Sequence, residues 1–177
     1  MKNWRKTPRA DWLDYDNGLY FITICTDEKH HFFGKIHHGT MNLSKIGLLV
    51  DHELFNPHLH HKHINVLLHV VMPNHLHAIV ECTNSDPRLP YIPTHQRTPN
   101  PAYRANPEDC RHATTLSKYI SSFKSAITRQ ARKIDPKFGW QERYHDHLIR
   151  GNNDLNTITD YINNNPTNWD KDCFNEQ

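Results

Sequence analysis

Two histidines separated by one residue, His75 and His77, stand in the stretch Val70-Val71-Met72-Pro73-Asn74-His75-Leu76-His77-Ala78-Ile79-Val80-Glu81. Pro presets the first central position of a tight turn and Asn tolerates the second. Apolar runs flank both sides, so the stretch reads as the tip of a β-hairpin. Past the turn, successive side chains alternate faces, which puts both imidazoles on one face with Cα atoms about 6.5 to 7 Å apart. Such a pair is half of a metal site. In a chain with 16 histidines, spacing alone does not separate a ligand pair from two ordinary half-buried rings.

Other histidines compete for the role. His145-Asp146-His147 repeats the spacing. Leu76 suits a core-facing position between the first pair, whereas Asp146 marks the outer face of an edge strand. The tract from His58 to His63 spans a loop after a helix, with no carboxylate or cysteine among its members. That suits a solvated stretch better than a built site.

The last predicted helix supplies the groups the His pair lacks. Asp154 to Asn165 carries Leu155, Ile158 and Ile162 on an apolar stripe. It is stopped by Pro166, which also disfavours helical geometry at Asn165. At 3.6 residues per turn, Tyr161 and Asn165 lie about 40° apart on one flank, one turn apart along the axis. A phenol and an amide carbonyl over a His pair give a nucleophile and a third metal ligand, and the mixed nitrogen and oxygen set suits Mg²⁺ or Mn²⁺ with open positions. A metal so held would act as a Lewis acid on a phosphodiester, and attack by Tyr161 would conserve the bond energy in a phosphotyrosine. Tyr144, near the second His pair, is the rival nucleophile. Tyr20 and Tyr119 belong to packed elements.

The elements that must position these groups are legible from periodicity. At 177 residues the chain fits one domain, and 21 Lys plus Arg against 19 Asp plus Glu is close to balance. Leu19 to Cys25 is β-branched and aromatic throughout, as in a central strand. Phe32 to His37 and Thr40 to Leu43 form a short hairpin, and Ser44 caps a helix ending near Pro57. Ile64 to Met72 and His75 to Cys82 are antiparallel partners. A helix over Thr115 to Ile134 carries Leu116, Tyr119, Ile120, Phe123, Ile127 and Ile134 on one stripe. Its other flank, with Lys118, Lys124, Arg129 and Arg132, is the candidate surface for a phosphate backbone. Residues 1–17 form a basic arm. Residues 83–113, which hold six of the 11 prolines, form a long internal loop.

Cys25, Cys82, Cys110 and Cys173 are scattered, with no Cys-x-x-Cys pair. No run approaches the ~20 apolar residues of a membrane span. These features suggest a cytoplasmic protein in a reducing compartment.

The motifs YFITICT, VVMPNHLHAIV, LSKYISSFKSAIT, WQERYHDHLIR and DYINNNP, in that order, resemble the REP-associated tyrosine transposases, which are HUH single-strand nucleases. The resemblance runs from about Gly18 to Trp169, apart from the Pro-rich loop. It implies an α+β fold, a mainly antiparallel sheet backed by helices and close to the RNA-recognition-motif arrangement. It also implies a metal-dependent single-strand DNA endonuclease and ligase acting on hairpin-forming repeats, as a monomer or homodimer. His75 and His77 match the family's metal pair, Tyr161 its nucleophile and Asn165 the residue that completes the metal site. Two other classes remain open: a non-catalytic single-strand-binding module, and a metal-dependent hydrolase that activates water.

Overall fold

In chain order the elements are β1 (Gly18–Cys25), β2 (Gly34–His37), β3 (Thr40–Leu43), α1 (Lys45–Phe55), β4 (Ile64–Val71), β5 (His75–Cys82), α2 (Thr115–Ala131), β6 (His145–Leu148) and α3 (Asn152–Asn164). A 3-10 segment, Pro166–Lys171, follows α3. The computed structural model describes residues 17–83 and 114–175. The basic arm up to residue 16 and the stretch 84–113 lie outside the described residues.

The apolar density of β1 puts it inside the sheet. It pairs antiparallel with β5 on one side and β6 on the other, and β4 extends the sheet beyond β5, giving the order β4-β5-β1-β6. The expected α+β architecture is therefore present, with helices on both faces of the sheet. On one face Tyr20, Ile22, Ile24, Leu76, Ala78 and Val80 pack with Ile46, Val50 and Leu54 of α1 and with the Leu116, Tyr119, Ile120, Phe123 and Ile127 stripe of α2. On the other face Ile79 meets Ile158 and Ile162 of α3, with Phe21, Leu68 and Val70 around them. β5 is buried on both sides, so its even and odd positions serve different layers.

Two boundaries and one loop differ from the periodicity reading. β2 begins at Gly34 rather than Phe32, because Phe33 leaves the hairpin to become a fully buried core residue. α2 stops at Ala131, where Ile134 N–H returns to the Ala131 carbonyl in a turn, so Ile134 is half exposed rather than on the stripe. The tract from His58 to His63 is not uniformly solvated: the buried His60 ring sits 2.7 Å from a Glu53 carboxylate oxygen contributed by α1. The expectation treated only the loop and missed this helical partner.

α1 begins as Ser44 predicts, its Oγ accepting from Gly47 N–H at 3.0 Å. Gly47 is there for space. An added Cβ would stand 2.0 Å from the Phe33 carbonyl oxygen. In an open helix Gly→Ala gains up to about 1 kcal/mol. Here the sign reverses, because the clash is with backbone that Ser44 N–H and Ser44 Oγ already hold at Phe33 and Phe32. Gly47→Ala should destabilise the fold by roughly 2 kcal/mol or more, within the range of overpacked sites. A urea melt checks this, and an unchanged or raised midpoint would show that Phe33 is free to move.

Candidate active site

The site is built on the α3 face of the sheet, around the start of β5. The Met72 to Asn74 turn is closed by Met72 N–H bonding the His75 carbonyl at 2.8 Å, and Thr26 holds it with both N–H and Oγ1 on the Asn74 carbonyl. Strand alternation then sends Leu76 into the α1/α2 core and His75 and His77 to the opposite face. They lie across from Cys25 and Thr23 of β1. The two ring centroids are 4.6 Å apart, and both rings are buried.

Hydrogen bonding fixes which nitrogen each ring presents. Asn74 donates through Nδ2 to the carbonyls of Lys29 (3.1 Å) and Phe174 (2.8 Å), so its Oδ1 must be the atom facing His75 Nδ1 at 2.8 Å. Nδ1 therefore carries the proton and Nε2 the lone pair. His75 Nε2 is buried with no hydrogen-bond partner among the described residues. His77 Nδ1 lies 2.8 Å from Thr23 Oγ1, which leaves its Nε2 toward α3. Burial holds both rings neutral. His75 is pushed down to about 2, with the neighbouring His77 and Lys29 adding to the effect. His77 is pushed down to about 3, partly offset by a hydrogen bond to the Ile22 backbone.

α3 lays Tyr161 over this pair. Its hydroxyl is 3.2 Å from His77 Nε2, and its ring contacts His77 and the edge of Phe21. Burial raises the phenol's pKa and the Asp172 charge raises it further, while a side-chain hydrogen bond with Asn165 works against both. Asn165 is nearly fully buried, and its Oδ1 has no partner among the described residues. Pro166 does not displace Asn165 from the helix as expected. Its φ of −58° and ψ of −46° are helical, because the chain continues directly into the 3-10 segment with Asn168 N–H bonding the Asn165 carbonyl. That continuation keeps Asn165 one turn above Tyr161.

The structure thus brings His75, His77, Tyr161 and Asn165 together. The donor types suit a divalent cation: His75 Nε2 and Asn165 Oδ1 are buried with no partner among the described residues, and the His77 ring centroid is 4.6 Å from that of His75. Among the described residues no cluster of three or more His, Cys, Asp and Glu side chains suits a metal, so an amide oxygen is needed to complete this set.

The other candidates are placed elsewhere. His145 and His147 face the same side as Thr23 and Phe21, and Asp146 is opposite Ile22 on the α1/α2 side, so Asp146 does not mark the outer face as expected. What separates the two His pairs is position in the sheet. β6 is an edge strand, both of its histidines are exposed, and His147 Nε2 is held by Asp154 at 2.9 Å. Tyr144 turns to the α2 layer, its hydroxyl 3.1 Å from Ser117 Oγ. α2 packs on the face away from the His pair. Lys124 Nζ there donates to the carbonyls of Gln141 and Arg143, and Arg132 Nε to that of Phe138, which leaves Lys118 and Arg129 as the uncommitted exposed pair of the four.

Four contributors carry no sequence signal of their own. Thr23 is one β-strand threonine among many. Asn74 reads as a turn residue, and its second role appears only when Lys29 and Phe174 arrive. Asp172 and Phe174 belong to the chain end beyond the recognisable motifs, yet the Phe174 ring centroid lies 4.4 Å from that of His75, and Asp172 Oδ2 is 3.9 Å from His75 Nε2. The register of β1 against β5 is what selects Thr23.

No protein-family model matches the chain. An uncharacterized protein of Haemophilus influenzae is 31% identical over 170 residues, covering 95% of this chain and 91% of the relative. The chain belongs to the same family as that protein. A solved REP-associated tyrosine transposase, bound to a REP hairpin, matches 96% of this chain and 74% of its own with a TM-score of 0.58 at 17% identity. This chain has the tyrosine transposase fold. Within that fold, His75 and His77 adjoin on β5, the Tyr161 hydroxyl lies beside His77, and Asn165 follows Tyr161 by one turn.

The neutral rings set a pH dependence. In the unfolded chain each imidazole titrates near 6.5, and in the folded chain each stays unprotonated until about pH 2 to 3. Between those limits the unfolded state binds more protons, so stability is full above about pH 6.5 and falls as pH drops through that window. Each such ring contributes a slope of up to about 1.4 kcal/mol per pH unit. His75→Gln should flatten the acid limb of stability against pH by about one ring's share, measured by urea melts from pH 7 to 5. An unaltered limb would mean that His75 is protonated in the folded state.

Proposed function

We propose that this chain is a metal-dependent single-strand DNA endonuclease and strand transferase, with Tyr161 as its nucleophile, acting on hairpin-forming repeats. The observation that carries the reading is the Tyr161 hydroxyl at 3.2 Å from His77 Nε2, beside the unpartnered His75 Nε2 and Asn165 Oδ1. The transposase whose fold is shared was solved on a REP hairpin, which supports hairpin DNA as the substrate class.

A divalent cation held by His75, His77 and Asn165 would polarise the scissile phosphate and offset charge on its oxygens. The remaining work falls to the chain. Phe21 and His77 hold the Tyr161 ring from the sheet side, and the helix fixes its hydroxyl. Tyr161 Oη gives up its proton to solvent and forms a bond to phosphorus, the phosphorus bond to one deoxyribose oxygen breaks, and that oxygen takes a proton from solvent and departs as a hydroxyl. Burial and Asp172 keep the phenol proton on Oη at rest, and the Asn165 hydrogen bond favours the phenolate as attack begins. The product is a phosphodiester to tyrosine, which a second strand's hydroxyl reverses without ATP.

Tyr161→Phe, which removes only the hydroxyl, should retain hairpin binding but form no denaturation-resistant adduct with a single-stranded hairpin oligonucleotide in Mg²⁺ or Mn²⁺. His75→Ala should lower cleavage by at least 100-fold, and His145→Ala by less than tenfold. These expectations follow the cost of removing groups that contact reacting atoms or their metal. Peptide mapping of the wild-type adduct should find the DNA on the Tyr161 peptide. DNA on the Tyr144 peptide, or wild-type cleavage by the Phe variant, overturns the assignment.

A further inference from the structure

The donors assigned to the metal above, His75, His77 and Asn165, are all uncharged, and burial keeps both imidazoles so. Cations of the Mg²⁺ or Mn²⁺ kind favour carboxylate oxygen, and a double charge taken out of water among neutral donors is poorly compensated. A carboxylate stands beside the set. Asp172 Oδ2 lies 3.9 Å from His75 Nε2, and its side chain is only 5% exposed.

Asn74 puts the His75 proton on Nδ1, so the atom that Asp172 approaches is a lone-pair nitrogen. Two electron-rich atoms thus come together in a buried place, too far apart for a hydrogen bond, and Nε2 has no donor among the described residues. A cation is the partner that suits both. Two atoms each about 2.1 Å from one six-coordinate ion are about 3 Å apart when adjacent and about 4.2 Å apart when opposite, and the observed separation lies inside that span.

The fold holds Asp172 in place from several sides. Its N–H closes the 3-10 segment on the Trp169 carbonyl at 3.0 Å, Oδ1 accepts from Phe174 N–H at 2.8 Å, and the Cys173 thiol hydrogen-bonds the carboxylate. Lys29 Nζ donates to the Cys173 carbonyl at 3.1 Å, and Asn74 Nδ2 to that of Phe174 at 2.8 Å. Asn74 therefore orients the His75 ring and anchors the segment that carries Asp172. Among the described residues no three His, Cys, Asp or Glu side chains already enclose an ion, and His77 Nε2 has the Tyr161 hydroxyl beside it. The closed set belongs to the loaded protein, after that hydroxyl has given way.

We infer that Asp172 is a further ligand of the divalent cation, supplying through Oδ2 the negative charge that His75, His77 and Asn165 lack. The inference rests on the proposed metal role of the His pair, and it has a consequence for the nucleophile. Burial and then the Asp172 charge raise the Tyr161 pKa. A carboxylate engaged by a cation no longer holds the phenol proton, so metal loading and readying of Tyr161 become one event.

The test uses the full chain without DNA and Mn²⁺ alone as the probe, with the free ion counted by its electron paramagnetic resonance signal near neutral pH. Asp172→Asn keeps the size of the side chain and its Oδ1 acceptor and removes the charge. It should weaken Mn²⁺ binding by about tenfold or more, since ligand charge sets affinity at such sites. The rise in melting midpoint on adding Mn²⁺ should shrink in step, with the metal-free variant melting no lower than wild type. Asp154→Asn, an exposed carboxylate beside His147, controls for net charge and should bind as wild type. Unchanged binding by Asp172→Asn overturns the inference, and so does tighter binding, which would make Asp172 a counter-ion that the metal must displace. Absence of Mn²⁺ binding by the wild type overturns it too. His75→Ala separates the two readings: its loss of binding beside an unaffected Asp172→Asn overturns the Asp172 assignment alone, whereas wild-type binding by His75→Ala sinks the metal role of the His pair and this inference with it.

Discussion

A buried imidazole must have both ring nitrogens engaged or lose the hydration it gave up, and His75 imposes that constraint on everything near it. One nitrogen is met by Asn74. That amide can face the ring with its oxygen only because its NH₂ is consumed by the carbonyls of Lys29 and Phe174. Three remote segments are thus tied together by a single side chain: the turn after β1, the β4–β5 turn and the chain end. The other nitrogen is left bare. Three hydrogen bonds thus orient a ring whose second nitrogen has no partner among the described residues, which is the feature the proposed metal role draws on.

His77 differs in a way that bears on order of events. Its Nε2 has one lone pair, and the Tyr161 hydroxyl is the group beside it. The same lone pair cannot hold a cation and accept that proton, so metal occupancy and the Tyr161–His77 hydrogen bond exclude each other. A neutral hydrogen bond is worth about 1 kcal/mol net, so it is a light latch for a cation to displace. In the proposed reaction, such displacement would free the Tyr161 hydroxyl for attack. Because burial holds the ring neutral, no proton competes for the same electrons at ordinary pH.

Strong local patterns made much of this legible before any coordinates. The β-branched run of β1, the Pro73-Asn74 turn and the α3 stripe each have one dominant structural solution, and strand alternation plus helical pitch place His75, His77, Tyr161 and Asn165 on facing surfaces. What could not be read was set by contacts distant in sequence. Lys124 looks like a solvated base on the polar flank of α2 until the chain at Gln141 to Arg143 folds back and offers it carbonyls. Asn165 should leave helical geometry before a proline, yet the burial of Trp169 and the 3-10 bonds that follow outweigh that local preference. His60 joins Glu53 across seven positions that include a helix end.

The two faces of the sheet explain why reactive groups gather on one of them. The α1/α2 face is a mainly apolar layer in which the Tyr119 hydroxyl sits buried with no partner among the described residues, its pKa pushed above the ordinary phenol range. That layer supplies rigidity and little access. The α3 layer is thinner, with four buried apolar anchors, and it leaves Tyr161 partly exposed while sealing His75 and Asn165. A nucleophile must reach a polymer that arrives from solvent, whereas metal ligands gain from exclusion of water. Placing the phenol at the lip of a helix, with the imidazoles beneath it on a central strand, meets both demands in one layer. The strand register that aligns Thr23 with His77 is then as much a part of the site as the residues that would touch DNA.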